Sequence, residues 1–209
     1  MENLGGTAGN TLTLKEYAED YLRGVKQTMD EISFQELQEV VDVIETAYRK
    51  GNQIFILGNG GSASTASHFA CDLGKGTAAE GKPRFKVTSL NDNVALLTAI
   101  GNDLGFDDLF SEQLKICLEE GDVVILITGS GNSPNLLKAA EYANSRGAIT
   151  IGFIGFGGGK LREMVQHQIT ISSRKYEFIE PVHLILEHLI SFFFKQEIAA
   201  WQQEQTHAK

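Results

Sequence analysis

Five short apolar segments recur along this chain, and a stretch with helical spacing separates each one from the next. The segments cover residues 53–57, 85–90, 123–127, 149–154 and 167–171. Strands that alternate with helices pair in parallel, because each helix carries the chain back along a face of the sheet. The segments at 123–127 and 149–154 are apolar throughout, as strands covered on both faces are. The pattern predicts a three-layer α/β/α sandwich around a five-stranded parallel sheet.

Helical patterns also flank this alternating region. Apolar spacing predicts two N-terminal helices, from Leu14 to about Met29 and from Phe34 to about Arg49. A long C-terminal helix is predicted from near Pro181, since proline suits a first helical turn, to about Trp201. Residues 1–12 are polar and rich in Gly, Thr and Asn, so we expect a disordered arm there and a single domain over 13–209. The connecting helices are predicted near 62–73, 94–101, 107–118, 134–146 and 158–165.

The composition excludes several classes of protein. A net charge of −9 argues against direct binding to nucleic acid, which needs Lys and Arg to neutralise phosphates. Residues 1–20 lack the pattern of a signal peptide, and polar residues interrupt the apolar stretch at 182–194, so we expect no membrane association. Cys71 and Cys117 are far apart and are expected to be free thiols in a reducing compartment. These features predict a cytoplasmic protein.

Two loops rich in glycine and serine follow the first and third apolar segments. They are Gly58–Ser62 and Thr128–Ser133, and each precedes a helical stretch. The first N–H groups of a helix are unpaired and lie at the positive end of its dipole, so such loops bind phosphate. Neither loop is a P-loop or a dinucleotide fingerprint, so no nucleotide cofactor is expected. The pair predicts a phosphorylated small molecule between two strand ends, although either loop alone could be only a serine-capped turn.

His68 and Asp72 stand four residues apart in the helix predicted after the first loop. This spacing places both side chains on one face, within about 40° of each other. A histidine and a carboxylate in this position suit half of a metal site or an acid/base pair. The alternative is a simple hydrogen bond on the helix surface.

The region of the predicted C-terminal helix carries further polar residues. Glu180 precedes Pro181 as a helix N-cap would, and His188 lies about two turns further on, with a Cα–Cα separation of roughly 12 Å. His183 is the rival candidate to His188, but it is expected to be a core or interface residue with one ring nitrogen hydrogen-bonded. Asp103 lies in a polar loop and either contacts a sugar hydroxyl or belongs to a helix-ending turn.

The two loops, Gly101–Phe106 and the long terminal helix make the chain resemble the sugar isomerase (SIS) domain family, from about Lys15 to Phe194. Within that family the chain is most similar to the phosphoheptose isomerases. The resemblance implies aldose–ketose isomerisation of sedoheptulose 7-phosphate to D-glycero-D-manno-heptose 7-phosphate, through an enediol. It also implies a homotetramer with active sites between subunits.

The resemblance further implies roles for individual residues. Asp72 would be the catalytic base and His188 the catalytic acid. Some members of the family hold zinc, and the matching ligands here are His68, Asp72, Glu180 and His188. The implied substrate contacts are Asn59, Gly60, Ser62, Asp103, Thr128, Gly129, Ser130, Ser133 and Glu180.

Three residues depart from the family pattern. Asp72 stands where glutamate is usual, and a base one methylene shorter can misplace the proton transfer by about 1 Å and lower the rate ~10²-fold. Glu180 stands where glutamine is usual, and Glu177 replaces an aspartate. Some relatives are not enzymes but bind the bacterial replication initiator, and others could sense a sugar phosphate. Since a carboxylate and His188 are both present, we expect an enzyme.

Overall fold

The five predicted strands form one parallel sheet. In the computed structural model, which describes residues 12–207 and their side chains through residue 200, the strand order is β2-β1-β3-β4-β5. All four neighbouring pairs are parallel, which confirms the predicted sheet. The predicted disordered arm lies outside the described residues, except for residue 12. The strands are β1 (Gln53–Gly58), β2 (Lys86–Ser89), β3 (Val123–Thr128), β4 (Ile149–Ile154) and β5 (His167–Thr170).

Helices cover both faces of the sheet and complete the three predicted layers. Alternate strand residues face opposite sides, so Ile54 and Ile56 pack in one buried cluster while Phe55 and Leu57 pack in another. The first cluster includes residues of α2, α3 and α7, and the second includes residues of α4, α5 and α6. The helices are α1 (Leu14–Asp30), α2 (Phe34–Lys50), α3 (Gly61–Cys71), α4 (Val94–Asp103), α5 (Ser111–Cys117), α6 (Pro134–Ser145) and α7 (Tyr176–His207).

Local sequence explains where the two N-terminal helices begin and end. Thr13 and Glu16 form a reciprocal capping box at the start of α1, which satisfies N–H groups that the helix leaves unpaired. Ser33 caps α2 by accepting from the N–H of Glu36. Gly51 ends α2 with a left-handed φ of 71°, which glycine adopts without a steric penalty. From there the chain enters β1.

Two predicted helices differ from those observed. The segment 158–165 is not an α-helix, because Gly157, Gly158 and Gly159 all have positive φ and only a short 3₁₀ turn, Leu161–Glu163, follows them. The prediction that the C-terminal helix begins near Pro181 is also wrong. The carbonyl of Lys175 accepts from the N–H groups of Phe178 and Ile179, so α7 starts at Tyr176 and proline is tolerated inside it. Glu180 is therefore an interior helical residue and not an N-cap.

The strand order brings the two glycine-serine loops together. β1 and β3 are neighbours, and they lie where the sheet order changes direction, since β2 lies on one side of β1 and β4 lies beyond β3. Ligands of open parallel sheets bind at such a switch point, outside the carboxyl ends of the strands. Both loops follow those carboxyl ends. No helix in the described part of the chain is long and apolar enough to cross a membrane.

Candidate active site

The first loop turns sharply into α3. Gly60 precedes the helix with φ 57° and ψ −121°, a conformation that favours glycine. A Cβ at Gly61 would lie 2.6 Å from Oε2 of Glu180, so a side chain there would displace the Glu180 carboxylate. The Glu180 carboxylate therefore lies against the N-terminus of α3. Ser62, in the first turn of the helix, is buried.

The second loop presents hydroxyl groups beside α6. The Thr128 hydroxyl accepts from the N–H of Gly131 at 3.1 Å, and the Ser130 hydroxyl accepts from the N–H of Asn132 at 3.2 Å. Ser133 stands immediately before Pro134, the first residue of α6, and its hydroxyl makes no capping hydrogen bond. The Ser133 hydroxyl is therefore available to a ligand. Hydroxyls and N–H groups in this arrangement suit a phosphate.

A pair of asparagines joins the two loops. The side-chain amides of Asn59 and Asn135 exchange two hydrogen bonds, each 2.9 Å long. Asn135 is fully buried near the start of α6, so this contact fixes the first loop against the helix that follows the second. Sequence reasoning missed Asn135, because nothing local distinguishes it from any polar residue early in a helix.

The glycine-rich turn after β4 supports the second loop. Gly131 has φ 67°, and a Cβ there would lie 1.9 Å from the carbonyl oxygen of Gly158. The Gly131 carbonyl accepts from the N–H of Leu161 at 2.9 Å, and the Asn132 side chain accepts from the N–H of Lys160 at 3.1 Å. The turn, to which the sequence assigned no chemistry, thus holds the hydroxyl-bearing loop in shape.

A cavity of about 140 Å³ lies between the two loops. Tyr176, which sequence reasoning missed, lines it from α7 and packs so closely that a Cβ on Gly129 would lie 2.5 Å from its ring. Of the predicted substrate contacts, Gly60 and Asp103 do not line this cavity. The Asp103 carboxylate, at the end of α4, accepts from the side chain of Asn102. The predicted contacts that do line it are Asn59, Ser62, Thr128, Gly129, Ser130, Ser133 and Glu180.

Glu180 also lines a second cavity of about 430 Å³, which extends to His68. The carboxylate of Glu180 therefore stands between the hydroxyl-bearing loop and the histidine on α3. A larger cavity of about 520 Å³ opens elsewhere, around Gln53, Lys86 and Asp122, and none of the predicted site residues lines it. The candidate site is thus the region of the two smaller cavities.

Two histidines and two carboxylates meet beyond the second cavity. His68 Nε2 lies 3.7 Å from Asp72 Oδ2, so the two side chains share a face as their spacing predicts. His188, from α7, places its Nε2 3.4 Å from His68 Nε2 and 3.8 Å from Asp72 Oδ2. Asp72 begins a π-helical turn, Asp72–Gly76, and such turns often occur at functional sites. The predicted acid and base are therefore neighbours.

The second carboxylate of this group is Glu187, which sequence reasoning treated only as a polar interruption of an apolar stretch. One potential ligand atom from each of His68, Asp72, Glu187 and His188 lies within 4.8 Å of the others. Glu187 is fully buried, and neither of its oxygens has a hydrogen-bond partner among the described residues. Burial, with a further contribution from the charge of Asp72, raises the pKa of Glu187 to about 8.

Two other predicted residues lie apart from this group. Glu180, a predicted zinc ligand, is not part of the group of potential metal ligands that the described residues bring together. His183 is a core residue as expected, but the prediction of one hydrogen-bonded nitrogen is wrong, since neither ring nitrogen has a partner within residues 12–200. The ring lies beside Phe153, and burial lowers the pKa of His183 to about 3.

Comparison with known proteins gives consistent results for sequence and structure. The profile of the SIS domain family matches residues 16–155. A phosphoheptose isomerase of Aquifex aeolicus is 36% identical over 166 residues, which cover 79% of this chain and 86% of that protein. The solved phosphoheptose isomerase of Neisseria gonorrhoeae superposes with a TM-score of 0.80 at 28% identity, covering 88% of this chain and 100% of the other. That of Francisella tularensis gives 0.79 at 25% identity, covering 88% and 96%.

Proposed function

The chain belongs to the SIS domain family, and from this premise we propose that it is a phosphosugar aldose–ketose isomerase. Its relatives are phosphoheptose isomerases, so we take sedoheptulose 7-phosphate as the substrate and D-glycero-D-manno-heptose 7-phosphate as the product. The observation that carries the proposal is a connected set of side chains. Asp72 and His188 lie beside His68, which lines the second cavity, and Glu180 lines both that cavity and the one between the two loops that suit a phosphate. An acid, a base and a phosphate anchor are what this reaction requires.

The loop after β3 would hold the phosphate group. Ser130 and Ser133 offer hydroxyls beside the start of α6, and Thr128 holds the backbone of the loop through the N–H of Gly131. Hydrogen bonds to a charged phosphate are stronger than those between neutral groups. Anchored there, the sugar would extend past Asn59 and Glu180 toward His68.

Asp72 and His188 would carry the proton transfers. Asp72 removes a proton from C1 of the open-chain ketose while His188 donates one to the oxygen on C2, which gives the enediol. Asp72 then returns its proton to C2 as His188 takes the proton of the C1 hydroxyl, which leaves the aldehyde. Their separation of 3.8 Å between Oδ2 and Nε2 allows the two groups to act on adjacent carbons.

A divalent cation, most simply zinc, belongs to the same proposal. His68, Asp72 and His188 supply the mixed nitrogen and oxygen ligands that zinc accepts. The buried carboxylate of Glu187 beside them has no hydrogen-bond partner among the described residues and fits a cation. Bound there, zinc would polarise the oxygen atoms on C1 and C2 of the sugar. It would then take over the role of the His188 proton at those oxygens, because a ring nitrogen that binds the cation carries no proton.

We also propose a homotetramer whose active sites lie between subunits. Asp103, which does not line the cavity of its own subunit, would then contact the sugar in a neighbouring one. The unpaired Cys71 and Cys117 suit a reducing compartment, so we propose that the enzyme acts in the cytoplasm.

The test is to incubate the purified protein with sedoheptulose 7-phosphate and to follow formation of the aldose by NMR. Asp72→Asn and His188→Ala should each lower turnover at least ~10²-fold, the usual scale for loss of an acid or base. Asp42→Asn is the matched control, since Asp42 is exposed on α2 and its carboxylate contacts Gln38. Absence of aldose from the unaltered protein would overturn the substrate, and unchanged turnover in both variants would overturn the acid/base pair.

A further inference from the structure

When it is ionised, the buried carboxylate of Glu187 requires a positive charge beside it. Its side chain has no exposed surface, and both oxygens lack a hydrogen-bond partner among the described residues. An ionised carboxylate removed from water is strongly destabilised unless it is paired or binds a metal. Its ion-pair partners are His68 Nδ1 at 3.4 Å and His188 Nε2 at 3.3 Å. Glu187 therefore points into the histidine pair.

Protons on the histidines would balance this group poorly. Two carboxylates, Glu187 and Asp72, face two imidazoles whose Nε2 atoms lie 3.4 Å apart. One imidazolium leaves a negative charge uncompensated, and two imidazoliums at that distance repel each other. A single divalent cation between neutral imidazoles balances both carboxylates and receives a lone pair from each ring.

The distances within the group also suit a cation. Tetrahedral zinc, with bonds of about 2.0–2.2 Å to nitrogen and oxygen, holds its ligand atoms about 3.3–3.5 Å apart. The shortest distances that join His188 Nε2 to Glu187, His68 and Asp72 are 3.3, 3.4 and 3.8 Å. One ligand atom from each of the four residues lies within 4.8 Å of the others, so the set reaches the required spacing through small movements of its side chains.

Glu180, which the sequence assigns to the metal, has different surroundings. Its carboxylate lies against Gly61 at the start of α3 and lines both cavities of the candidate site. We propose that Glu187, and not Glu180, is the fourth ligand of a divalent cation bound by His68, Asp72 and His188. One subunit then supplies the complete ligand set, and Glu180 is left to contact the sugar. This inference rests on the cation in the proposed function but not on the isomerase activity.

The experiment compares the replacement of glutamate by glutamine at two positions of α7. The metal-stripped protein and its Glu187→Gln and Glu180→Gln variants are titrated with Zn²⁺ alone by calorimetry, with a competing chelator. We expect one Zn²⁺ per chain, an affinity at least ~30-fold weaker in Glu187→Gln, and an affinity within ~3-fold of the unaltered protein in Glu180→Gln. The opposite ranking of the two variants, or no binding by the unaltered protein, would overturn the proposal.

A spectrum and a melting curve test whether Glu187 binds the metal directly. If Glu187 only orients His68, the glutamine oxygen still accepts from the ring, and the Co²⁺ absorption spectrum of Glu187→Gln should match that of the unaltered protein. Such a match would overturn the proposal, whereas a changed spectrum supports direct ligation. Metal-free Glu187→Gln should melt no lower than the unaltered protein, since the buried charge is gone, while Zn²⁺ should raise the melting temperature of the unaltered protein far more.

Isomerase turnover in the same samples separates this inference from the proposed function. An unaltered protein that binds Zn²⁺ through Glu187 but forms no aldose would contradict the isomerase and leave the ligand assignment standing. Turnover that persists in the fully chelated protein, with no Zn²⁺ bound on titration, would contradict the ligand assignment and leave the isomerase standing.

Discussion

His183 is a residue whose charge state the fold changes. Its ring is buried beside Phe153, and neither nitrogen has a partner among the described residues. Burial lowers its pKa to about 3, because the charged imidazolium would lose its hydration. The folded protein therefore keeps this histidine neutral at pH values where an unfolded chain protonates it.

Replacement of His183 by phenylalanine should remove one source of acid sensitivity. Between pH 6.5 and about 3 the unfolded state binds a proton that the folded state excludes, so His183 lowers the free energy of unfolding as the pH falls. The slope is about 1.4 kcal/mol per pH unit. The stability of His183→Phe relative to the unaltered protein should rise by about 2 kcal/mol from pH 6.5 to 5 in urea denaturation. A difference independent of pH would contradict this.

Ser130 provides a test of the phosphate loop at the same scale. Ser130→Ala should weaken binding of sedoheptulose 7-phosphate by about 1.5–3 kcal/mol, because a charge-assisted hydrogen bond is lost. Calorimetry measures the affinity directly. Ser145→Ala is the control, since that hydroxyl lies at the far end of α6 and donates a hydrogen bond to the carbonyl of Tyr142. Equal affinities in the two variants would remove Ser130 from the site.

At the scale of elements, the loop after β3 and the turn after β4 form one interlocked unit. A Cβ on Gly131 would lie 1.9 Å from the carbonyl oxygen of Gly158, and a Cβ on Gly159 would lie 2.5 Å from the carbonyl oxygen of Ser130. The backbone N–H groups of Lys160 and Leu161 donate hydrogen bonds across the same contact, to the Asn132 side chain and the Gly131 carbonyl. The shape of the hydroxyl-bearing loop therefore depends on a turn that the chain reaches only after it has passed through α6 and β4.

A comparison of Gly131→Ala with Gly157→Ala separates the energetic cost of backbone strain from the cost of disturbing this contact. Both glycines have positive φ, but a Cβ on Gly157 meets nothing within 4 Å. Gly157→Ala should cost about 1–2 kcal/mol from strain alone. Gly131→Ala should cost more and also weaken phosphate binding, because the Gly158 carbonyl must move. Urea denaturation measures the stability of each variant, and calorimetry measures its affinity for phosphate. Equal effects of the two substitutions would contradict the close contact between the loop and the turn.

The elements were more predictable from the sequence than the contacts between them. Apolar runs bounded by glycine loops marked the strands correctly, and the His68–Asp72 spacing predicted a shared face that the structure shows. The start of α7 was missed because Pro181 is a stronger local signal than the Lys175 carbonyl that begins the helix. Glu187 was missed because its partner His68 is far away in the sequence, and no local pattern marks such a pair.

At the scale of the whole molecule, a single chain leaves many large apolar side chains exposed on its surface. On α1, Leu14 and Leu22 are exposed, and Phe34 follows at the start of α2. The outer face of α7 exposes Ile185, Leu189, Phe192 and Phe193. Large apolar patches on a soluble protein usually mark an interface. They support the proposed homotetramer, since symmetric association would cover both faces.

Leu189→Glu should break up the proposed assembly. Light scattering at micromolar concentration should give four times the chain mass for the unaltered protein and a smaller mass for the variant, because a buried charge opposes association. Leu189→Met keeps the face apolar and should remain a tetramer. A monomeric unaltered protein would contradict the assembly, and with it an active site shared between subunits.

Two long-range side-chain contacts hold the site together, and they differ in the length of chain between their residues. The Asn59–Asn135 pair, which joins the two loops, spans 76 residues, whereas the His68–His188 pair spans 120 and needs α7. Closing a longer loop costs more entropy, and domains form from the N-terminus as the chain emerges from the ribosome. The contact between the two loops can thus form on a nascent chain that still lacks α7. Tyr176 and Glu180, which line the proposed phosphate cavity, and His188, the proposed acid, all arrive together on α7, so substrate binding and conversion should appear at the same late stage of synthesis.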